Sequence, residues 1–432
     1  MGSLTKLQFD TVVVGAGPAG IAAATTAAEC GLRVGMVDDN RRPGGQIWRG
    51  ETIDHAPEAK PWARRLGASG VASISGARIF AQPQANVLLA EQDDDLLELH
   101  YNKLILATGA RERFLPFPGW TLPNVVGAGG LQALVKAGLP IEGKRVVVAG
   151  TGPLLLAVAS YLRQYGAKVL AVCEQRPWAD LTRFGLGLLR QPQKIQQALA
   201  LRKDLSGIPF LPNCWPIEAA GKDVLEKVVL QRGEKTQTFN CDYLACGFHL
   251  VANTELAELL GCQIKEGFVI VDNFQQTSQP NVFCAGEPTG IGGLDLAIVE
   301  GQIAGFGAAN KTDAATKLFG QRKQMNNFAH LLERTFALRP ELRKLALAQT
   351  IVCRCEDVSY AQMSSYASWR AAKLHTRCGM GPCQGRICGP ATKFLFNWTP
   401  DSVRPPIFPA SLNSLSEGFS QFQPSPVTGE YA

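Results

Sequence analysis

A chain of 432 residues with 46% apolar and 19% charged side chains has room for two or three domains and an ordinary globular composition. Its net charge of +6 is modest, and the longest basic runs are pairs such as Arg41–Arg42 and Arg64–Arg65, which leaves no dense tract for nucleic acid. No apolar run reaches the roughly 18 residues that a bilayer span needs, so no membrane span is expected.

The first apolar strand begins almost at the start of the chain, so a signal peptide is not expected, and Lys6 stands where a myristoylation motif wants Ser or Thr. A reducing, cytoplasmic setting follows as the expectation, with any membrane association running through partners. The twelve cysteines are then read as thiols or metal ligands rather than structural disulfides.

In chain order, Thr11–Asp39 reads TVVVGAGPAGIAAATTAAECGLRVGMVDD. A short apolar strand runs into Gly15, Gly17 and Gly20, spaced G-x-G-x-x-G, and Pro18-Ala19 open an alanine-rich helix. Gly15 permits the tight turn, Gly17 lets backbone approach a pyrophosphate, and Gly20 lets helix and sheet pack closely. The helix N-terminus offers N–H groups and a positive dipole end to phosphate. Asp38 ends the second strand, where a carboxylate accepts from a ribose diol, with Asp39 beside it. Together these predict a βαβ unit holding an adenine dinucleotide.

A loop with Gly44, Gly45 and Gln46 follows, then a Pro/Ala-rich segment and β-structure through His100. Lys103–Ala110, KLILATGA, reads as a strand ending in the turn Ala107-Thr108-Gly109. A second βαβ unit starts at Arg145, with Gly150 and Gly152 in place and Glu174 ending its second strand. Leu155 replaces its third glycine, and a bulky side chain there is expected to push the helix off the strand, so nucleotide binding here (NAD(P) or ATP) stands against a purely structural domain. NVFCAGE, ending in Gly286 and Glu287, is a strand and small-residue turn, followed by a helix over about Leu294–Ala309.

Seven cysteines are scattered singly up to residue 352, mostly in apolar contexts (Cys30, Cys173, Cys246, Cys284), and read as small buried hydrophobes. Beyond a polar, helix-prone linker, five crowd together. Cys353 and Cys355 form C-x-C, Cys383 and Cys388 form C-x4-C, and Cys378 precedes them. Gly379, Gly381 and Gly385 let the backbone curl around a small cluster, and Arg354, Arg377 and Arg386 lie where they can offset thiolate charge. Five cysteines are one too many for a four-thiolate site; a structural zinc or a disulfide pair are the alternatives. A helix is expected to about Trp398. The last thirty or so residues, rich in Pro, Ser and aromatics, read as an extended tail. The histidines (His55, His100, His249, His330, His375) do not cluster, no C-x-x-C occurs, and no catalytic residue is assigned.

Several of these segments carry a resemblance. LILATGA is similar to the ATG element of two-dinucleotide-binding-domain flavoproteins, and residues 8 to 310 resemble the glutathione reductase superfamily in segment order. The fold this implies is α/β: a glutathione reductase-like flavoprotein with a small C-terminal helical [2Fe–2S] domain. Its expected divisions are residues 1–120 (FAD-binding, first half), 121–245 (inserted NAD(P)-binding-like domain), 246–312 (FAD-binding, second half), 313–400 (linker and cluster domain) and 401–432 (tail). C-x-C followed by TRCGMGPCQGRICGP resembles the bacterioferritin-associated-ferredoxin-like domain. That resemblance implies Cys353, Cys355, Cys383 and Cys388 as ligands, with Cys378 as a neighbour.

Across residues 12 to 390, VVVGAGPAG, GGQIWRGE, LILATGARERFLPFPGW, VVVAGTGPLLLAVA, NVFCAGEP and TRCGMGPCQGRICGP resemble one family. It comprises the α subunits of hydrogen cyanide synthase, opine oxidases and dye-linked proline or D-hydroxyproline dehydrogenases, with sarcosine oxidase α more distant. The resemblance implies FAD, a [2Fe–2S] cluster, an FMN at the interface between subunits, and a D-amino-acid-oxidase-like β flavoprotein partner, with room for a small ferredoxin-like subunit. It implies an electron-transferring subunit of an amino- or imino-acid dehydrogenase. An NAD(P)H-dependent reductase and a non-catalytic nucleotide-binding scaffold are the other readings.

Overall fold

A computed structural model describes residues 4–49, 57–400 and 403–420. His55, the end of the GGQIWRGE signature and the last twelve residues of the tail lie outside the described residues. The chain divides into two units. One holds the described residues up to Gly109, Ala252–Asn326 and 403–420; the other holds Ala110–Val251 and 327–400.

In the first unit, β1 (Leu4–Val14) is buried from Thr11 onward, as an apolar strand covered on both faces must be. It passes through the glycine turn into α1 (Pro18–Glu29), of which Pro18 to Ala27 are all buried. β2 (Val34–Asp38) then returns parallel to β1, with Val14 opposite Val37. With β3 (Ala72–Ser75), β4 (Ala77–Gln84), β5 (Val87–Gln92) and β6 (Asp95–Leu106) the sheet runs β3-β2-β1-β6-β5-β4. Val282–Cys284 adds to the far end of β6 in parallel.

Helix Leu294–Ala308 crosses α1 at small residues. A Cβ on Gly301 would stand 2.2 Å from the Ala19 carbonyl oxygen, and one on Gly305 2.6 Å from that of Ala23. The predicted helix is one residue shorter than read, and its place against α1 is fixed by those glycines.

The tail departs from expectation. Leu412–Ser420 is a helix rather than extended chain, laid on the unit's sheet where a Cβ on Gly418 would meet Leu89 Cδ1 at 2.9 Å. Glu91 holds it, accepting from Ser411 N–H at 3.1 Å and Ser414 hydroxyl at 2.9 Å.

The second unit has a five-stranded parallel sheet in the order Phe210–Pro212, Lys168–Glu174, Arg145–Thr151, Tyr243–Phe248, Val125–Gly127, beside a three-stranded antiparallel sheet. Leu155 does not push its helix away. It is buried in the core with Val148, Val158 and Ala128. The same unit carries the cysteine-rich segment, whose core is Val352, Met363, Trp369, Ala372, Cys378 and Cys388. Helices Trp369–Thr376 and Cys388–Phe396 flank it. Cys173, Cys246 and Cys284 are buried as read, whereas Cys30 at the end of α1 is half-exposed. Among the described residues no helix is long and apolar enough to cross a membrane.

Candidate functional site

The first cradle is built by steric necessity at its glycines. A Cβ on Gly15 would stand 2.2 Å from the Ala107 carbonyl oxygen, and one on Gly20 1.8 Å from that of Gly15. Strand, turn and helix can therefore close together only with glycine at both positions. Gly45 lies across Gly17: a Cβ on Gly45 would be 2.8 Å from Gly17 Cα, and its φ of 58° suits glycine. The loop is tied to the turn by Gly44 N–H donating to the Ala16 carbonyl at 2.7 Å. The structure thus brings Gly15, Gly17, Pro18, Ala19, Gly20, Gly45 and Ala107 together, while Gln46 points to the exposed side of the loop.

α1 begins with no side-chain cap and no acidic residue in its first turn, which leaves the helix's positive end uncompensated by its own sequence. Asp38 braces the turn. Its Oδ2 accepts from Ala16 N–H at 2.5 Å, and its Oδ1 accepts from Asn40 N–H and Nδ2, both at 2.7 Å. Asp39 is half-exposed, and partial desolvation together with the Asp38 charge raises its pKa. Thr108 and Gly109 are fixed by Asn253. Its carbonyl accepts from Thr108 Oγ1 at 2.6 Å, and its N–H donates to Gly109 O at 3.0 Å.

Gly286 and Glu287 close the same cradle, with a Cβ on Gly286 2.8 Å from the Ala19 Cβ. Glu287 Oε1 accepts from Gly293 N–H at 3.0 Å, whereas its buried Oε2 has no partner. Trp48 Nε1, on the glycine loop, is likewise enclosed and unpartnered. Burial pushes Glu287 up to about 7. Glu300, which accepts from Gly286 N–H at 2.9 Å and from the Thr289 hydroxyl at 2.8 Å, is also raised by burial to about 7. Sequence reading missed Glu300, because its partner glycine lies fourteen residues away on another element.

The second site gathers sulfur. The Sγ atoms of Cys353, Cys378 and Cys388 lie within 4.8 Å of one another. Cys388 also contacts Cys383, which contacts Cys355, so all five thiols form one connected group. Cys378, read as a neighbour, is therefore a member of the group, in hydrogen-bond contact with Cys353 and Cys388.

Backbone N–H groups converge on the predicted ligands: Gly379 and Glu356 on Cys353, Cys383 on Cys355, Gly385 and Ile387 on Cys383. Thiol contacts from Cys378 and Cys388, with those N–H groups, hold Cys353 well below the ordinary thiol range. The Cys388 contact draws Cys383 down to about 5. Gly381 is needed here, since a Cβ would stand 2.3 Å from that of Cys355. Arg377 does not turn toward sulfur; its Nε donates to Glu356 at 2.8 Å. A set of converging thiols with inward N–H groups suits a metal or iron–sulfur cluster, whose thiolates need that compensation.

Comparison with known proteins identifies the family of the dinucleotide-binding part. Residues 9–307 match the family model described as pyridine nucleotide-disulphide oxidoreductase. The HcnB subunit of hydrogen cyanide synthase from Pseudomonas aeruginosa is 30% identical over 423 residues, covering 88% of this chain and 91% of that protein. An opine oxidase subunit from Rhizobium meliloti is 29% identical over 462 residues, covering 95% of this chain and 98% of that protein. The crystal structure of L-proline dehydrogenase from P. horikoshii superposes with a TM-score of 0.70 at 16% identity, covering 96% of this chain and 81% of that one.

Proposed function

The chain belongs to the pyridine nucleotide-disulphide oxidoreductase family and is an oxidoreductase of the group that includes HcnB and the opine oxidase subunit, and from this we propose that it is the electron-transferring flavoprotein subunit of an amino- or imino-acid dehydrogenase. The observation that carries the reading is a dinucleotide cradle and a five-thiol group on one chain. A flavin takes two electrons as a hydride and releases them singly, and a [2Fe–2S] centre passes one per step.

The residues fit both groups. Gly15, Gly17, Pro18, Ala19 and Gly20 would seat a pyrophosphate at the uncapped start of α1. Asp38 and Asp39 stand at the ribose end, and Gly45, Gln46, Ala107, Thr108, Gly109, Gly286 and Glu287 complete the wall. The unpartnered Glu287 Oε2 and Trp48 Nε1 are polar atoms that a bound FAD would satisfy. Glu287, held near 7, can accept or donate at such a contact. Cys353, Cys355, Cys383 and Cys388 would hold the cluster, with Cys378 beside it.

On this reading substrate oxidation takes place in a D-amino-acid-oxidase-like β flavoprotein. The relatives' names, which describe them as subunits, support a partner subunit. The test is dye reduction by an amino or imino acid with the chain alone and with a β-like flavoprotein. Activity is expected only with both present; full activity of the chain alone would overturn the division of labour. Reddish-brown absorbance and bound iron in the purified chain are the accompanying expectation.

A further inference from the structure

The second glycine turn is formed as if for a nucleotide, yet its binding groups are already engaged. Gly150 and Gly152 have φ of 144° and 95°, and a Cβ on Gly150 would collide with the Gly247 carbonyl oxygen at 1.9 Å. The N–H of Gly152, which a pyrophosphate would take, donates instead to Glu174 Oε2 at 2.7 Å. Glu174 Oε1 accepts from Thr151 Oγ1 at 2.8 Å and from Arg176 N–H at 2.9 Å. In the first unit the acid stops one residue earlier, at Ala16 N–H. A buried carboxylate on the second glycine also repels a phosphate.

Residues 336–339 of the same unit lie over this turn. Phe336 is 4% exposed, and a Cβ on Gly152 would be 4.0 Å from its ring. The ring packs edge-on against Phe184, with centroids 5.0 Å apart. The Phe336 carbonyl lies 3.4 Å from Thr151 Oγ1. Gln175, fully buried, bridges turn and segment: its Nε2 donates to Thr151 Oγ1 at 3.1 Å and to Ala337 O at 3.0 Å, and its Oε1 accepts from Arg339 N–H at 3.1 Å. Arg176 Nη1 donates to Ala337 O at 3.2 Å. Arg339 stacks on Trp215 at 4.8 Å and donates to Asn213 Oδ1, and Leu342 just beyond is buried in the unit's core. The segment is thus anchored at both ends.

We propose that residues 336–339 act as a built-in ligand of the second dinucleotide fold, closing its glycine turn to NADH and NADPH, so that this fold is a scaffold and not an entry point for electrons. That electrons then come from a partner protein rests on the function proposed above; the closure itself does not. To admit a dinucleotide, the protein would have to expel a buried phenylalanine and break the Gln175 bridge.

The test uses the full-length chain as purified, with its first site filled. At about 1 mM NADH or NADPH, its melting temperature is expected to stay unchanged, as mass action requires for a ligand without measurable affinity. Hydrogen exchange at residues 334–340 is expected to be slow, and Phe336→Ala is expected to speed exchange at 150–156 by tenfold or more. A rise of several degrees with either nucleotide would overturn the proposal. So would segment amides exchanging as fast as an exposed loop, or Phe336→Ala leaving 150–156 protected. If electron transfer from a β-like partner failed while these results held, the closure would stand and the proposed function would fall.

Discussion

The contact between α1 and helix Leu294–Ala308 sets the position of the first glycine turn, and Gly301→Ala tests it. Alanine is the better helix former by about 1 kcal/mol, so an unhindered site would gain stability. Here the added Cβ would stand 2.2 Å from the Ala19 carbonyl oxygen and 3.0 Å from its carbonyl carbon, both backbone atoms that cannot rotate away. One helix must therefore move, and overpacking of this kind costs about 1–3 kcal/mol. Gly320→Ala is the control, because nothing lies within 4 Å of its Cβ position. It should stabilise by up to about 1 kcal/mol. The two variants should then differ by about 1–4 kcal/mol, or roughly 2–16 °C in melting temperature for a unit of this size. Ala19 sits in the first turn of α1, so Gly301→Ala should also lose flavin on gel filtration while Gly320→Ala retains it. Equal melting temperatures and equal flavin in the two variants would refute the argument.

Glu287 and Glu300 are both raised by burial from 4.5 to about 7. The folded chain then binds more protons than the unfolded one between those values, so stability without flavin should fall as pH rises from about 4.5 to 7 and level off above. The upper limit is about 3 kcal/mol per group, and Glu287→Gln should flatten the plot of melting temperature against pH. Asp38→Ala removes the acceptor of three N–H bonds and should cost about 2–3 kcal/mol, with Asp38→Asn costing less by the same melting assay. Cys388→Ala removes the thiol that contacts Cys353, Cys378 and Cys383, and should abolish bound iron and acid-labile sulfide. Cys173→Ala, in the apolar core, should keep both.

What was legible in the sequence is what local geometry dictates. Gly15 and Gly20 are demanded by backbone atoms of the same strand-turn-helix unit and of the adjoining Ala107 turn, so their spacing carries the signal. The glycines around Cys383 are similar, because Gly379 and Gly381 meet Trp369 and Cys355 within one small segment. What escaped was set by distant partners. Leu155 is taken into a core with Ala128 and Val148 on other elements, which no reading of the third-glycine position could show. The terminal helix exists because the unit's sheet offers Leu89, Leu96 and Glu91 to a segment that has no core of its own. Cys378 was set aside as surplus on pattern alone, and only the fold carries it against Cys353 and Cys388.

The buried carboxylates differ in how far the chain itself satisfies them. A sharp turn leaves N–H groups that neither helix nor sheet satisfies, and a carboxylate is the strongest acceptor available to them. Glu112 uses both oxygens this way, accepting from Gly129 N–H at 2.7 Å and Gly130 N–H at 2.9 Å at the start of helix Ala128–Lys136. Glu174 likewise commits both oxygens, to Thr151 and Arg176 on one side and Gly152 on the other. These two carboxylates are satisfied within the protein. Glu287 is different: one oxygen is held by Gly293 N–H, and the other is enclosed without a partner. Leaving a buried acceptor unmade costs about 1–3 kcal/mol, more for a charged group, so a native fold retains one where something else completes it. The enclosed Glu287 Oε2 is therefore a contact point for an exogenous ligand in the first cradle, whereas the oxygens of Glu174 are met by the chain itself.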